Sequence, residues 1–168
     1  MKKKACNFQI VCQILAAAVS LAIALIALKL FFSNDIMWIA GTASIGSSIY
    51  LVYVQPSSVS AQARNMLLCY LFAFVIGPLF HLLLNVLLAL PLMSVLHEGI
   101  PYLVGVVAFS FIIFVSYRLA TPHPPAAGMA LLLTLDVDQF WPVLILFLLV
   151  LFLAGSRYIL RNKLVDLC

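Results

Sequence analysis

The chain has 168 residues, 66% hydrophobic and 8% charged, with nine Lys and Arg against five Asp and Glu and a net charge of +4. A soluble domain carries about 25% charged residues, so these side chains cannot coat a globule, and a cytosolic enzyme, a nucleic-acid-binding domain and a disordered chain are excluded. The expectation is an all-α polytopic transmembrane bundle forming a single domain over 1–168, with short loops only.

Met1-Lys2-Lys3-Lys4 precedes a first apolar run, Ile14 to Phe32, long enough to cross a hydrocarbon core of about 30 Å. The run exceeds the apolar region of a typical signal peptide and carries Lys29 near its end, so it reads as a retained membrane helix. Ile36 to Val54 comes next, with small residues through Gly41-Thr42-Ala43-Ser44-Ile45-Gly46-Ser47-Ser48 and then an apolar stretch. Small residues let helix backbones approach closely in a bilayer. This segment is therefore expected at the centre of the bundle, with a helix starting near Ser47. A polar loop, Gln55 to Asn65, follows.

Met66 to Leu92 is the longest apolar run. Gly77-Pro78 should kink it, because Pro lacks the amide donor and clashes with the preceding turn. His81 and Asn85 share one face and read as an interhelical hydrogen-bonding pair. Pro91 and His97-Glu98-Gly99 end the segment, and Ile100 to Tyr117, closed by Arg118, is the fourth. Thr121-Pro122-His123-Pro124-Pro125 is expected to be extended, since residues before Pro leave the helical region. Ala126 to Leu135 is a short helix opened by a tolerated Pro, and Asp136 and Asp138 mark an aqueous end. Phe140 to Gly155 is the last span, and Arg157, Arg161 and Lys163 follow it.

If all six segments cross, every Lys and Arg except Lys29 falls on one side, and Asp35, Glu98, Asp136 and Asp138 fall on the other. The positive-inside rule then places the chain in the inner (plasma) membrane with both termini cytoplasmic. Four full spans with two re-entrant segments is the alternative topology. The chain has a repeated plan of long, short and long segments, with halves at 14–92 and 100–163. With three crossings each, such halves would be inverted repeats, a transporter plan with its binding site at their interface.

Two short helices beginning near Ser47 and Ala126 would aim unpaired amides and positive dipole ends at a shared site. That arrangement suits a small monovalent anion held weakly enough to leave. Candidate contacts are Gly46, Ser47, Ser48, Thr121, His123, Pro124, Pro125, Ala127 and Gly128, with Ser44 as a further hydroxyl and Arg64 and Arg118 as attractors at the mouth. His123, between prolines, is the first candidate for proton coupling. Tyr50, Tyr53, Trp38 and Trp141 read as interface or core aromatics. The four cysteines form no C-x-x-C pair and have no His at ligand spacing, so no disulfide, metal site or cofactor is expected. A nucleotide-binding loop is lacking as well.

Thr121-Pro122-His123-Pro124-Pro125-Ala126-Ala127-Gly128 followed by Met129-Ala130-Leu131-Leu132 resembles the signature of the HPP family of integral membrane proteins. That family's earlier motif, roughly Ser-Pro-Leu-Ala-Gln-Pro-Arg-Asn, is similar to Ser58-Val59-Ser60-Ala61-Gln62-Ala63-Arg64-Asn65. The resemblance spans about Gly41 to Gly155. It implies an anion transporter, with nitrite the favoured substrate, and it adds Gln62, Arg64 and Asn65 to the site. The motif's prolines are here Val59 and Ala63, so a less rigid loop is expected. The expected partners are membrane lipid, the anion and further copies of the chain, with no nucleic acid. Three rivals stand beside a transporter. One is a membrane-embedded enzyme using His123 with Asp136 or Asp138. The others are a structural or assembly subunit and a cation or proton channel.

Overall fold

The computed structural model describes residues 7–31, 35–90, 99–136 and 140–167. Lys2, Lys3, Lys4, Cys6, Pro91, His97, Glu98, Asp138 and Cys168 lie outside the described residues. The elements are α1 (Asn7–Phe31), α2 (Asp35–Val54), a single 3-10 turn (Val59–Ala61), α3 (Ala63–Leu88), α4 (Ile100–Arg118), α5 (Pro124–Leu135) and α6 (Phe140–Leu160). Among the described residues four helices are long and apolar enough to cross a membrane: Asn7–Leu30, Ala63–Leu88, Ile100–Arg118 and Val143–Leu160. Trp38–Val54 and Pro124–Leu135 are shorter apolar helices. The chain is thus a polytopic helical bundle.

Helix α2 runs unbroken through Gly46-Ser47-Ser48, where a helix start was expected. The reason is local. Ser47 Oγ donates back to the Ser44 carbonyl at 2.9 Å, and Ser48 Oγ has the same carbonyl within reach at 3.2 Å. Ser47 is satisfied within the helix and Ser48 by side chains of neighbouring elements, so neither hydroxyl draws the backbone out of the helix. Helix α3 carries Pro78 in its interior and continues past it to Leu88.

Helix α5 has 12 residues, about 18 Å at 1.5 Å per residue. It starts where Pro124 and Pro125 occupy the first two helical positions, which tolerate a missing amide. Pro125, Ala126, Ala127, Met129, Ala130, Leu132, Leu133 and Thr134 are all buried, and α2, α3 and α4 surround the helix. A helix apolar on every side is held by packing, and in lipid that packing needs close backbone approach. Gly77 provides it on α3, where an added Cβ would lie 2.6 Å from Leu133 Cβ and 3.1 Å from the Ala130 carbonyl. At the far end His81 Nδ1 lies 3.0 Å from the Thr134 carbonyl of α5. His81 thus reaches α5, whereas Asn85 is exposed.

The helices in closest contact are α1 with α2, α4 with α5, α1 with α6, α4 with α3, α2 with α6, α5 with α3, α2 with α5 and α3 with α6. Exchanging α1, α2 and α3 for α4, α5 and α6 returns the same set. Two pairs map onto themselves, α2 with α5 and α3 with α6, and the most extensive contact between the halves is α3 with α5.

Both chain ends meet at one end of the bundle. Gln13 Nε2 donates to the Val165 carbonyl at 2.7 Å, and Val165 N donates to Gln13 Oε1 at 3.1 Å. Leu167 N reaches the Val54 carbonyl at 2.9 Å. Arg64, Arg118, Arg157, Arg161 and Lys163 belong to segments gathered at this end.

Candidate functional site

Helix α4 stops in a Schellman arrangement: Ala120 N donates to the Tyr117 carbonyl at 3.2 Å and Thr121 N to the Ser116 carbonyl at 3.0 Å. Ala120 takes the left-handed φ of 50° that this cap requires. Thr121-Pro122-His123 then leads into α5 without helical structure, as its prolines dictate. His123 becomes the N-cap residue of α5, only 2% exposed.

The His123 ring is fixed from two sides. Its Nδ1 lies 2.8 Å from the Ser60 carbonyl in the 3-10 turn. Its Nε2 lies 3.0 Å from Ser48 Oγ of α2. Ser48 Oγ is 2.8 Å from Tyr70 Oη of α3, and Tyr70 Oη is 3.0 Å from Ser44 Oγ. Ser44 Oγ donates to the Pro125 carbonyl at 2.8 Å, which closes the cluster back onto α5. The Tyr70 and His123 rings also pack, with centroids 5.2 Å apart. Ser44, Ser48, Tyr70 and His123 are all buried. Four polar side chains from α2, α3 and the start of α5 therefore meet where the halves cross. Each has a partner, as low-dielectric surroundings demand.

Beside the ring lies a cavity of about 670 Å³, lined by α4 residues including Phe109, Ser116 and Tyr117 and by Pro122, His123, Pro124 and Ala127. The lining is mainly apolar, and its hydroxyls come from Ser116 and Tyr117.

Of the residues singled out in the sequence, His123, Pro125 and Ser48 come together in the cluster, and Pro124 and Ala127 line the cavity. Thr121 is buried beside Cys69, whose thiol donates to the Thr121 carbonyl. Asn65 is buried and donates from Nδ2 to the Val59 carbonyl at 2.9 Å, so it holds the 3-10 turn that holds His123. Ser47, Gln62 and Arg64 are exposed. Gly46 faces Leu21 of α1, and Gly128 faces open space. Tyr70 escaped the sequence reading. Its signal was a lone phenol on the Met66, Cys69 and Ala73 face of α3, since a hydroxyl buried in lipid needs a partner.

The expected pair of amide-lined helix starts is also revised. Pro124 and Pro125 have no N–H, and Ala126 N donates to the His123 carbonyl at 3.1 Å. The donors near the start of α5 are therefore side chains.

A half-length helix buried among longer spans, entered through a clamped Pro-His-Pro-Pro turn, defines a polytopic membrane protein with a built polar centre. The chain matches the family described as HPP, transmembrane region, over residues 2–164, and it belongs to that family. Neither a curated protein nor a solved structure matches it.

Proposed function

We propose that the chain moves a small inorganic anion across the inner membrane, with nitrite the favoured substrate and both termini in the cytoplasm. The observation that carries this reading is the buried Ser44–Ser48–Tyr70–His123 cluster at the crossing of the two halves. Polar groups deep in a helical membrane protein mark solute paths by default. Transporters built from inverted halves bind at the interface of those halves. The family resemblance favours nitrite.

Two further features support an anion. The cavity beside the start of α5 presents hydroxyl donors and apolar walls, which bind weakly enough to release. At the same end Arg157 Nη2 donates to the Pro56 carbonyl at 2.7 Å, while its Nε and Nη1 have no hydrogen-bond partner among the described residues. Its charge is met in part by Asp166, and with the exposed Arg64 and Arg118 it makes this end basic, which draws anions toward the mouth.

The test is uptake into proteoliposomes, comparing nitrite, nitrate, formate and chloride. Nitrite influx is expected to exceed chloride influx. Replacing His123 by Ala is expected to cut it by about tenfold or more, the equivalent of one lost charge-assisted hydrogen bond. Equal leak of all four anions, unchanged in His123→Ala, overturns the proposal.

A further inference from the structure

The cluster around His123 carries a second consequence that does not depend on which solute is moved. A carbonyl oxygen only accepts, so the Ser60 carbonyl requires hydrogen on His123 Nδ1 in every protonation state. The atom left to titrate is Nε2, 3.0 Å from Ser48 Oγ. In the neutral ring Nε2 accepts from the Ser48 hydroxyl. Ser48 Oγ then accepts from Tyr70 Oη at 2.8 Å, and the Ser44 hydroxyl is committed to the Pro125 carbonyl at 2.8 Å. When Nε2 gains a proton it donates to Ser48 Oγ, and the Ser48 hydroxyl must turn away. An acceptor already stands there: the Ser44 carbonyl lies 3.2 Å from Ser48 Oγ, and Tyr70 Oη has Ser44 Oγ at 3.0 Å. Both proton arrangements leave every donor in the cluster paired, and the difference is hydroxyl rotation alone.

We propose that His123, Ser48 and Tyr70 form an intramembrane proton-binding site, with His123 Nε2 taking the proton and Ser48 and Tyr70 acting as positioning residues. The proton donor in this proposal is hydronium entering through the open side of the cavity that His123 lines. One N–H bond forms at Nε2, one O–H bond of hydronium breaks, and water remains. The titratable neighbours are Tyr70 and Cys69 on α3 and Tyr117 across the cavity on α4. From α2 come only the Ser44 and Ser48 hydroxyls, and from the 3-10 turn only a carbonyl. Arg64 and Arg118 stand exposed at the same end.

The experiment is nitrogen NMR of the full chain in lipid nanodiscs, with histidine labelled in the ring and no transported anion present. The neutral His123 ring is expected to carry hydrogen on Nδ1 and a bare Nε2, and acidification is expected to convert Nε2 to the imidazolium signal. Ser48→Ala moves the neutral Nε2 signal downfield and leaves Nδ1 in place, whereas Ser48→Thr restores it. Tyr70→Phe moves the same signal by a smaller amount, and the His81 signals stay fixed in every variant. Hydrogen on Nε2 of the neutral ring overturns the proposal even if no variant folds, as does an Nε2 signal that Ser48→Ala fails to move. Failure of nitrite uptake alongside the expected ring signals removes the transport reading and leaves this site standing.

Discussion

Single positions in this chain are governed by backbone geometry and by space left for one methyl group. Ala120 sits at φ 50° in a Schellman cap where glycine is usual. The left-handed region costs an L-residue roughly 1–2 kcal/mol, partly offset by the extra freedom glycine has in the unfolded chain. Ala120→Gly is therefore expected to stabilise the protein, by up to about 1 kcal/mol, read as a raised midpoint of thermal unfolding in detergent. Gly77 and Gly128 make a contrast. A Cβ at Gly77 would collide with backbone and with Leu133 Cβ, neither of which swings aside, while at Gly128 nothing lies within 4 Å. Gly77→Ala is expected to cost about 1–3 kcal/mol through overpacking. Gly128→Ala, inside α5 with room for the methyl, is expected to raise the melting midpoint by the equivalent of about 0.5–1 kcal/mol. Both glycines were visible in the sequence, but the sequence reading gave the ligand role to Gly128. Which glycine faces a neighbour depends on the rotation of each helix about its axis, and apolar runs with no polar face do not encode that rotation.

At the scale of elements, the long spans and the short α5 were legible because length and the Pro-His-Pro-Pro run state them directly. The start expected near Ser47 was not there, because a run of small residues serves equally for a helix break and for tight helix packing. The loop between α2 and α3 differs in another way. Its Val59 and Ala63 suggested slackness, yet the loop is tied down by side chains. Ser58 Oγ accepts from Ala61 N at 3.2 Å, Asn65 holds the Val59 carbonyl, and Asp166 accepts from Ser57 N at 3.0 Å. Hydrogen bonds replace ring constraint. The position of the missing Pro is still compatible with one: Ala63 is the first residue of α3, and Gln62 before it is extended at φ −67° and ψ 130°. Ala63→Pro is accordingly expected to stabilise the fold by about 0.4–1 kcal/mol, with no loss of uptake. Asn65→Ala is expected to do the opposite. It removes a buried bond worth about 1–2 kcal/mol and frees the turn that carries the Ser60 carbonyl, so both the melting midpoint and uptake should fall.

Across the whole molecule the governing fact is that α5 has only 12 residues, so in a six-crossing topology it stands where a full crossing is due. At about 18 Å it leaves more than 10 Å of a 30 Å core uncovered. Backbone at that depth is tolerated only against protein or water. The structure meets this condition at the start of α5. The Thr121–Pro122–His123 stretch is bonded to Cys69, Ser60 and Ser48, and the 670 Å³ cavity opens beside it. Helix α4 runs toward this end while α1 runs away from it, as the exchange of halves requires. A crossing at α5 then places Arg118 and Asp136 on opposite sides of the membrane, whereas a re-entrant α5 places them on the same side. The distinguishing measurement uses a background with all four native cysteines replaced. Asp136→Cys is expected to react with a membrane-impermeant maleimide added to intact cells. Arg118→Cys is expected to react only after permeabilisation. Labelling of both from one side would remove the sixth crossing, and with it the opposed orientation of the halves on which the buried site at their interface depends.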